Sequence, residues 1–550
     1  MKTRYGRFSA LRILTALVAC AMMPGFVAPI GSSAQSPRSV SPKLAAGDLD
    51  PTFGDGGKVV TGGGLVNATS TVVQPDGKVL VAGGARGGAL GWQFAVVRYN
   101  VDGNLDASFG AGGRVTTNIG GDGAWAVALR PDGRIVVAGT NGSKSEPDGF
   151  SLAQYNSDGS LDNSFGTGGT VTTRLPRRSF GLAEVVQADG KIVVAGSSAD
   201  GMTLIRYTMH GDTDQSFGTG GKVTVGGDIT TGPAFDFAYA VMSQDDGKIV
   251  VAGAADHQTS PTSTTADFGL ARFNSDGSLD TTFGNNGTID TAVGDFSIAF
   301  DLLAQPDGRI IAAGMGGVRS SQFALARYNA NGSLDTSFGE GGIVTTPIGQ
   351  FANAGASAIA LQGDGRIVAV GDADIQTGPA DLAVARFNAD GTIDSAFGSG
   401  GTTSTDFGID DYGHDMALQA DGKIIAVAMS DDGFKLTRYL ASTSPTVGVG
   451  GPYSGAEGAA VALSGSVSDP DSPGVTHKWS VVPGSGVDSG TNCFVGDPAA
   501  LSTSVVCTDD GEFTVTLTAD DGVNPPVSDS TTLTLRNADP STSILELQIW

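Results

Sequence analysis

The sequence predicts an all-β protein, a seven-bladed β-propeller over residues 49–440 followed by a β-sandwich over 447–536. Three observations carry this. Short motifs recur seven times at a near-constant spacing, each recurrence contains four short β-rich runs, and the recurrence stops after Tyr439.

Composition agrees with many short strands. The 550 residues include 84 glycines and 40% hydrophobic residues but only 16% charged ones, which suits tight turns and disfavours a helical bundle. A net charge of -25 would repel phosphate backbones and anionic lipid heads, so nucleic acid is not an expected partner.

The chain opens with Lys2, Arg4, Arg7 and Arg12 and no acid, followed by an apolar run from Ile13 to about Ile30. That is the layout of a signal peptide, assigned to residues 1–34, and it implies export. Two processing readings stay open: cleavage after the small residues Ser32-Ser33-Ala34, or lipidation of Cys20 in Leu17-Val18-Ala19-Cys20, which resembles a bacterial lipobox. No later segment is long and apolar enough to span a bilayer, and residues 35–48 are expected to lack fixed structure.

The first motif, L-D-x-x-F-G, starts at Leu49, Leu105, Leu161, Thr213 (with Thr for Leu), Leu279, Leu334 and Ile393, six intervals that average about 57 residues. The second, D-G-[KR]-[IV], starts at Asp76, Asp132, Asp189, Asp246, Asp307, Asp364 and Asp421 and leads into apolar runs such as I-V-V-A-G. The third reads F-A-V-V-R-Y-N from Phe94 and returns from Phe150, Phe268 and Phe323, with weaker copies at Thr203, Asp381 and Phe434. Glycine in each D-G turn supplies the positive φ of a tight hairpin. Four-stranded units apolar on both faces bury both when arranged radially, which gives a propeller; a β-solenoid is the rival, but its coils are shorter than this repeat.

These motifs and their spacing resemble the delta-60 repeat of exported bacterial proteins, over roughly Leu49 to Leu440. The resemblance implies export and a propeller-like surface module. It implies no reaction and no catalytic residues.

Residues 441–446 (A-S-T-S-P-T) read as a linker. Beyond it, G-G-P-Y-S-G-A-E-G from Gly450, L-S-G-S-V-S-D-P-D from Leu463 and G-E-F-T-V-T-L-T-A-D-D-G from Gly511 resemble a PKD or related immunoglobulin-like domain. The W-x-F-G-D-G run common in PKD modules is replaced by W-S-V-V-P-G-S-G from Trp479. Trp479 is expected in the core, and Cys493 and Cys507, close together in an exported chain, are expected to form a disulfide. Residues 537–550 read as the start of a further module or a disordered tail.

Catalytic motifs are missing. The four histidines, His210, His257, His414 and His477, form no H-E-x-x-H or short pair and read as isolated surface or turn residues; no G-x-S-x-G elbow or phosphate-binding loop occurs. Asp50 and its six counterparts recur once per repeat, which argues for structure, since a catalytic site needs an asymmetric constellation. Arg98, Arg206, Arg272, Arg327, Arg386 and Arg438 recur too, with Gln154 in the odd copy, and are expected to pair with repeat carboxylates or carbonyls between blades. The run Asn156–Asp162 offers hard oxygens to calcium but reads first as turn chemistry; Asp469, Asp471, Asp520 and Asp521 in the second domain are a better calcium guess. No other cofactor is expected.

In an up-and-down blade the D-G-[KR] turn and the L-D-x-x-F-G link, taken as the interblade link, fall at one end and the two variable connections at the other. That variable face carries Trp92, Trp125, Phe180, Phe296 and Tyr412, which either stack on sugar rings or anchor a protein, or cap the blade interfaces. The expected function is a non-enzymatic exported or cell-surface binding protein that recognises a carbohydrate or a protein, with the sandwich as spacer. The alternatives are a carboxylate-dependent polysaccharide lyase or hydrolase in the channel, and a structural surface component.

Overall fold

The computed structural model describes residues 44–87, 92–143, 146–175, 179–226, 234–260, 263–318, 320–348, 354–373, 379–442, 444–469, 475–484, 486–521 and 526–537. Residues 1–34, expected to be a signal peptide, with Cys20, and also Asp471 and all but the first residue of 537–550, lie outside them. The described residues contain strands and turns and no α-helix, hence no helix long and apolar enough to cross a membrane.

The repeats form four-stranded antiparallel sheets, seven of them among the described residues: five are separate, and the second and third are joined where Ser179 and Phe180 pair with Asp148 and Gly149. The first consists of Leu65–Val73, Val79–Arg86, Trp92–Tyr99 and Arg114–Thr117, in that order. Its counterparts begin with Gly121–Leu129, Ser179–Val186, Ala234–Ser243, Ile298–Ala304, Ala354–Leu361 and Tyr412–Leu418. These first strands touch one another in sequence, and the last returns to Leu65–Val73, so they line a central channel. The chain is therefore a β-propeller. Cores lie between successive sheets, and one second strand, Ile192–Ser198, is buried along its whole length.

Sequence repeat and sheet are offset by one strand. The L-D-x-x-F-G segment is not the link between sheets but the turn between third and fourth strands. Leu105 bridges back to Tyr99 and Asp106 N–H donates to Arg98 O, so the chain reverses and its next strand pairs Thr117 with Phe94 in the same sheet. By the same rule Lys58–Thr61, the first strand in the chain, completes the last sheet against Phe434–Tyr439 and closes the ring with backbone hydrogen bonds. The two invariant turns still share one end; the second turns and the true connections between sheets share the other.

The invariant end is held by a recurring node. In six copies the Arg Nε lies 2.8–2.9 Å from the Asp of L-D-x-x-F-G, and the guanidinium covers the Phe ring at 4.2–4.7 Å. Its Nη1 donates to a carbonyl of the following repeat, as Arg272 does to Ala330 O. These guanidiniums are buried, not solvated. In the odd copy, Gln154 takes the Arg place, and Arg130 stands where the other copies carry Gln (Gln187, Gln244, Gln305). Arg130 Nη1 donates to both Gln154 Oε1 and Met209 O, so the guanidinium reaches the same kind of carbonyl from a different strand.

Residues 44–48, the end of the segment expected to lack fixed structure, are anchored: Ala46 is buried and Gly47 N–H donates to Leu440 O, because the closing strand needs its approach fixed. After the ring, Tyr453–Ala456, Val527–Arg536, Gly511–Asp520 and Thr476–Pro483 form one sheet and Val461–Ser464, Ser502–Cys507 and Cys493–Val495 another. They share a core of Trp479, Val505, Phe513, Val515, Leu517 and Leu533, and Cys493 and Cys507, paired across strands, are joined by a disulfide.

Candidate functional site

The site follows from an irregularity repeated in every inner strand. Each strand loses register with its neighbour at the seventh residue before the Asp of D-G-[KR], skipping Thr69, Trp125, Leu182, Tyr239, Phe300, Ser357 and His414 in turn. A residue without a cross-strand partner is a β-bulge, which re-aims its side chain and bends the strand. The residue before it is always Ala or Gly, from Ala68 to Gly413. The bulge also explains the glycine of I-V-V-A-G on the second strand: a Cβ on Gly253 would come within 1.8 Å of Phe237 O, and one on Gly371 within 1.7 Å of Gly355 O.

Six of the seven bulge residues line one cavity of about 500 Å³ at the variable end of the channel: Trp125, Leu182, Tyr239, Phe300, Ser357 and His414, joined by Met315, Asp372 and Tyr412. Tyr239 stacks on Phe237 at 5.7 Å and meets Phe300 edge-on at 5.4 Å, while Trp125 lies 6.0 Å from the His414 ring. The cavity therefore offers aromatic faces with a few polar groups, a composition suited to a ligand of moderate size.

His414 Nδ1 is 2.7 Å from Thr69 O; a carbonyl only accepts, so Nδ1 carries the proton. Burial holds the ring below its ordinary pKa, and it faces the cavity as neutral imidazole. Three carboxyls lie just past the bulges. Asp301 accepts from its neighbour Leu302 N–H at 2.7 Å and from Ile359 N–H of the next sheet at 2.8 Å; Asp415 does the same with Met416 and Thr71, both at 2.7 Å. Burial first, then the charge of Asp415, pushes Asp301 up to about 7, and burial pushes Asp415 up to about 6. Glu184 has both oxygens hidden and without a hydrogen bond of good geometry, and burial drives it well above the usual carboxylate range.

Of the aromatics predicted on this face, Trp125 and Tyr412 line the cavity, and Phe180 stands behind it, 6.4 Å from the Phe237 ring that stacks on the lining Tyr239. Trp92, opposite Arg86, and Phe296, 40% exposed between sheets, lie away from it. Tyr239, Phe300 and His414 escaped the sequence reading, although an Ala or Gly eight residues before the Asp of D-G-[KR] marks the position just ahead of each. Two histidines are not isolated as expected: His414 lines the cavity and His257 sits against two carboxylates, because contacts across a sheet leave no spacing signal. Asp158 accepts from the N–H and hydroxyl of Ser160, which is the turn reading of Asn156–Asp162. Asp520 ends the strand Gly511–Asp520, and Asp469 and Asp521 each lie just beyond a strand. Among the described residues, the ligand atoms that converge in threes belong instead to His257, Asp267 and Asp290, and to Glu457, Asp509 and Asp510.

Fold and site define a β-propeller repeat protein with an aromatic cavity at one mouth of its channel. Segments 74–109, 130–165, 187–217, 244–283, 305–338 and 362–397 match the family described as "Domain of unknown function (DUF5122) beta-propeller". The chain matches none of the curated proteins. Among solved structures it is similar to a glucose dehydrogenase (12% identity, 69% of this chain and 98% of the other, TM-score 0.35). It is also similar to a Trichoderma reesei protein of Carbohydrate-Active Enzymes Family AA12 (13%, 74% and 98%, 0.35) and to a mannose phosphorylase of Leishmania mexicana (11%, 52% and 87%, 0.24). Likenesses this weak say nothing of a ligand or a reaction.

Proposed function

We propose that the chain is an exported, non-enzymatic binding protein: a seven-bladed propeller of delta-60 type whose aromatic cavity takes a carbohydrate, followed by a PKD or immunoglobulin-like sandwich as spacer. The ring of bulges carries this reading. It projects side chains of unlike chemistry from a common backbone position into one cavity, and the aromatic ones offer flat faces to the C–H side of a sugar ring. A cavity of about 500 Å³ fits one or two sugar rings and not a folded protein surface. Ser357 and His414 are placed to meet hydroxyls at its edge.

The carboxyls favour a second reading, a lyase or hydrolase, since carboxyl groups with raised pKa are what acid–base work on glycosides needs. Against it, Asp301 and Asp415 each spend both oxygens on backbone N–H groups. A panel of soluble glycans, assayed for retention and for new reducing or unsaturated ends, separates the readings. Saccharide binding without cleavage is expected; turnover, or no glycan bound by the folded chain, overturns the proposal.

A further inference from the structure

We propose that His257, Asp267 and Asp290 form a site on the fourth sheet for a divalent transition cation of the zinc class. The three come from neighbouring strands, Ile249–Ser260, Ser263–Phe273 and Thr288–Thr291. In the ladder His257 faces Thr265, two residues before Asp267, and Asp290 faces Gly269, two residues after it. Alternate residues share a strand face, so all three side chains stand on one face as diagonal neighbours.

Their ligand atoms lie within 4.8 Å of one another. His257 Nε2 is 3.3 Å from Asp267 Oδ2 and 3.1 Å from Asp290 Oδ2. It is hidden from solvent yet hydrogen bonds to neither, because it points between them. A proton on Nε2 would be aligned with neither oxygen, whereas a cation set between the three could meet a lone pair from each. Nitrogen and oxygen ligands around a tetrahedral ion at ordinary bond lengths stand about 3.3 Å apart, which is the spacing found.

The donor set selects the ion. One imidazole nitrogen with two carboxylates suits zinc and its neighbours, while calcium prefers oxygen alone and more of it. The two carboxylates, brought together on one face of the sheet, would balance the ion's charge. The repeats supply an internal control. Where this sheet has Asp290, four others have Thr116, Thr172, Thr224 and Thr345, so the fold does not require an acid there.

Calorimetric titration of the full chain with zinc chloride, beside calcium chloride, tests this. One equivalent of zinc per chain and no comparable calcium binding are expected, and His257→Ala and Asp290→Thr should each weaken zinc binding by about a hundredfold or more. Asp290→Thr installs the residue this position carries in other sheets, so it keeps the test open if His257→Ala fails to fold. No zinc bound by the folded chain, zinc binding that survives either folded variant, or equal affinity for calcium would each sink the proposal.

Discussion

The two ends of the propeller are built from the same repeats and treat them differently. At the end with the D-G-[KR] and L-D-x-x-F-G turns, one node of Arg, Asp and Phe recurs in six copies, and the seventh reaches the same carbonyl by exchanging Arg and Gln between strands. At the other end one backbone device, the bulge, recurs in every inner strand while its side chain changes from Thr to Trp, Leu, Tyr, Phe, Ser and His. Recurrence of a side chain marks what holds the ring together. Recurrence of a backbone position with unlike side chains marks where the ring is free to vary, and that is where the proposed saccharide site falls.

The sharpest way to break this contrast is to disturb the invariant end. Arg272→Ala leaves Asp280 buried without its partner and uncovers the Phe283 ring, and should cost about 3–5 kcal/mol by urea unfolding. Glycan binding at moderate temperature should be unchanged. A loss of binding with stability retained would mean that the node belongs to the site.

Next in size is a pH effect that belongs to the channel. Asp301 and Asp415 hold their protons more tightly folded than unfolded, so their contribution is full below about pH 4 and is lost as pH rises through about 6 and 7. Asp162 and Asp335 at the node end work the other way, since their lowered pKa values give stability that disappears only as pH falls below about 4. Asp301→Asn should therefore flatten the decline in urea midpoint between pH 4 and 8, removing about 3 kcal/mol of slope relative to the unaltered chain. Parallel curves would show that Asp301 is ionised across this range.

A smaller effect tests the exchange in the odd copy. Gln154→Arg alone sets a new guanidinium against that of Arg130, where Arg134 already pairs with Asp162, and Arg130→Gln alone removes the donor to Met209 O. Each should destabilise. The double variant restores the arrangement of the other copies and should recover about 1–2 kcal/mol of coupling in a double-mutant cycle; strict additivity would show that the two positions do not share one node.

How much of this could be read beforehand depended on whether the signal runs along the chain or across it. The propeller is legible because F-G and D-G-[KR] recur seven times, with a third strand typified by F-A-V-V-R-Y-N beside each, and such units bury both faces when arranged around an axis. The one-strand offset is not, because Lys58–Thr61 reads the same whichever sheet it joins. Trp125 and Tyr412 were found as aromatics in variable connections, whereas Tyr239 and Phe300 sit inside runs such as F-A-Y-A-V-M that read as ordinary strand. Only the bulge turns them toward the channel. His257, Asp267 and Asp290 follow no short metal-motif spacing and meet only through the diagonals of a sheet.

The finest test of the comparison is a bulge residue itself. Tyr239 has no ladder partner, is half-buried, and touches Phe237 and Phe300 through its ring alone. Tyr239→Ala therefore removes a face from the cavity without removing a hydrogen bond of the sheet. Affinity for a bound saccharide should fall about tenfold, about 1.4 kcal/mol, while the urea midpoint moves by less than the Arg272→Ala shift. If Tyr239→Ala cost as much stability as Arg272→Ala and left saccharide affinity alone, the bulge side chains would be packing elements, and the two ends of the ring would not differ in kind.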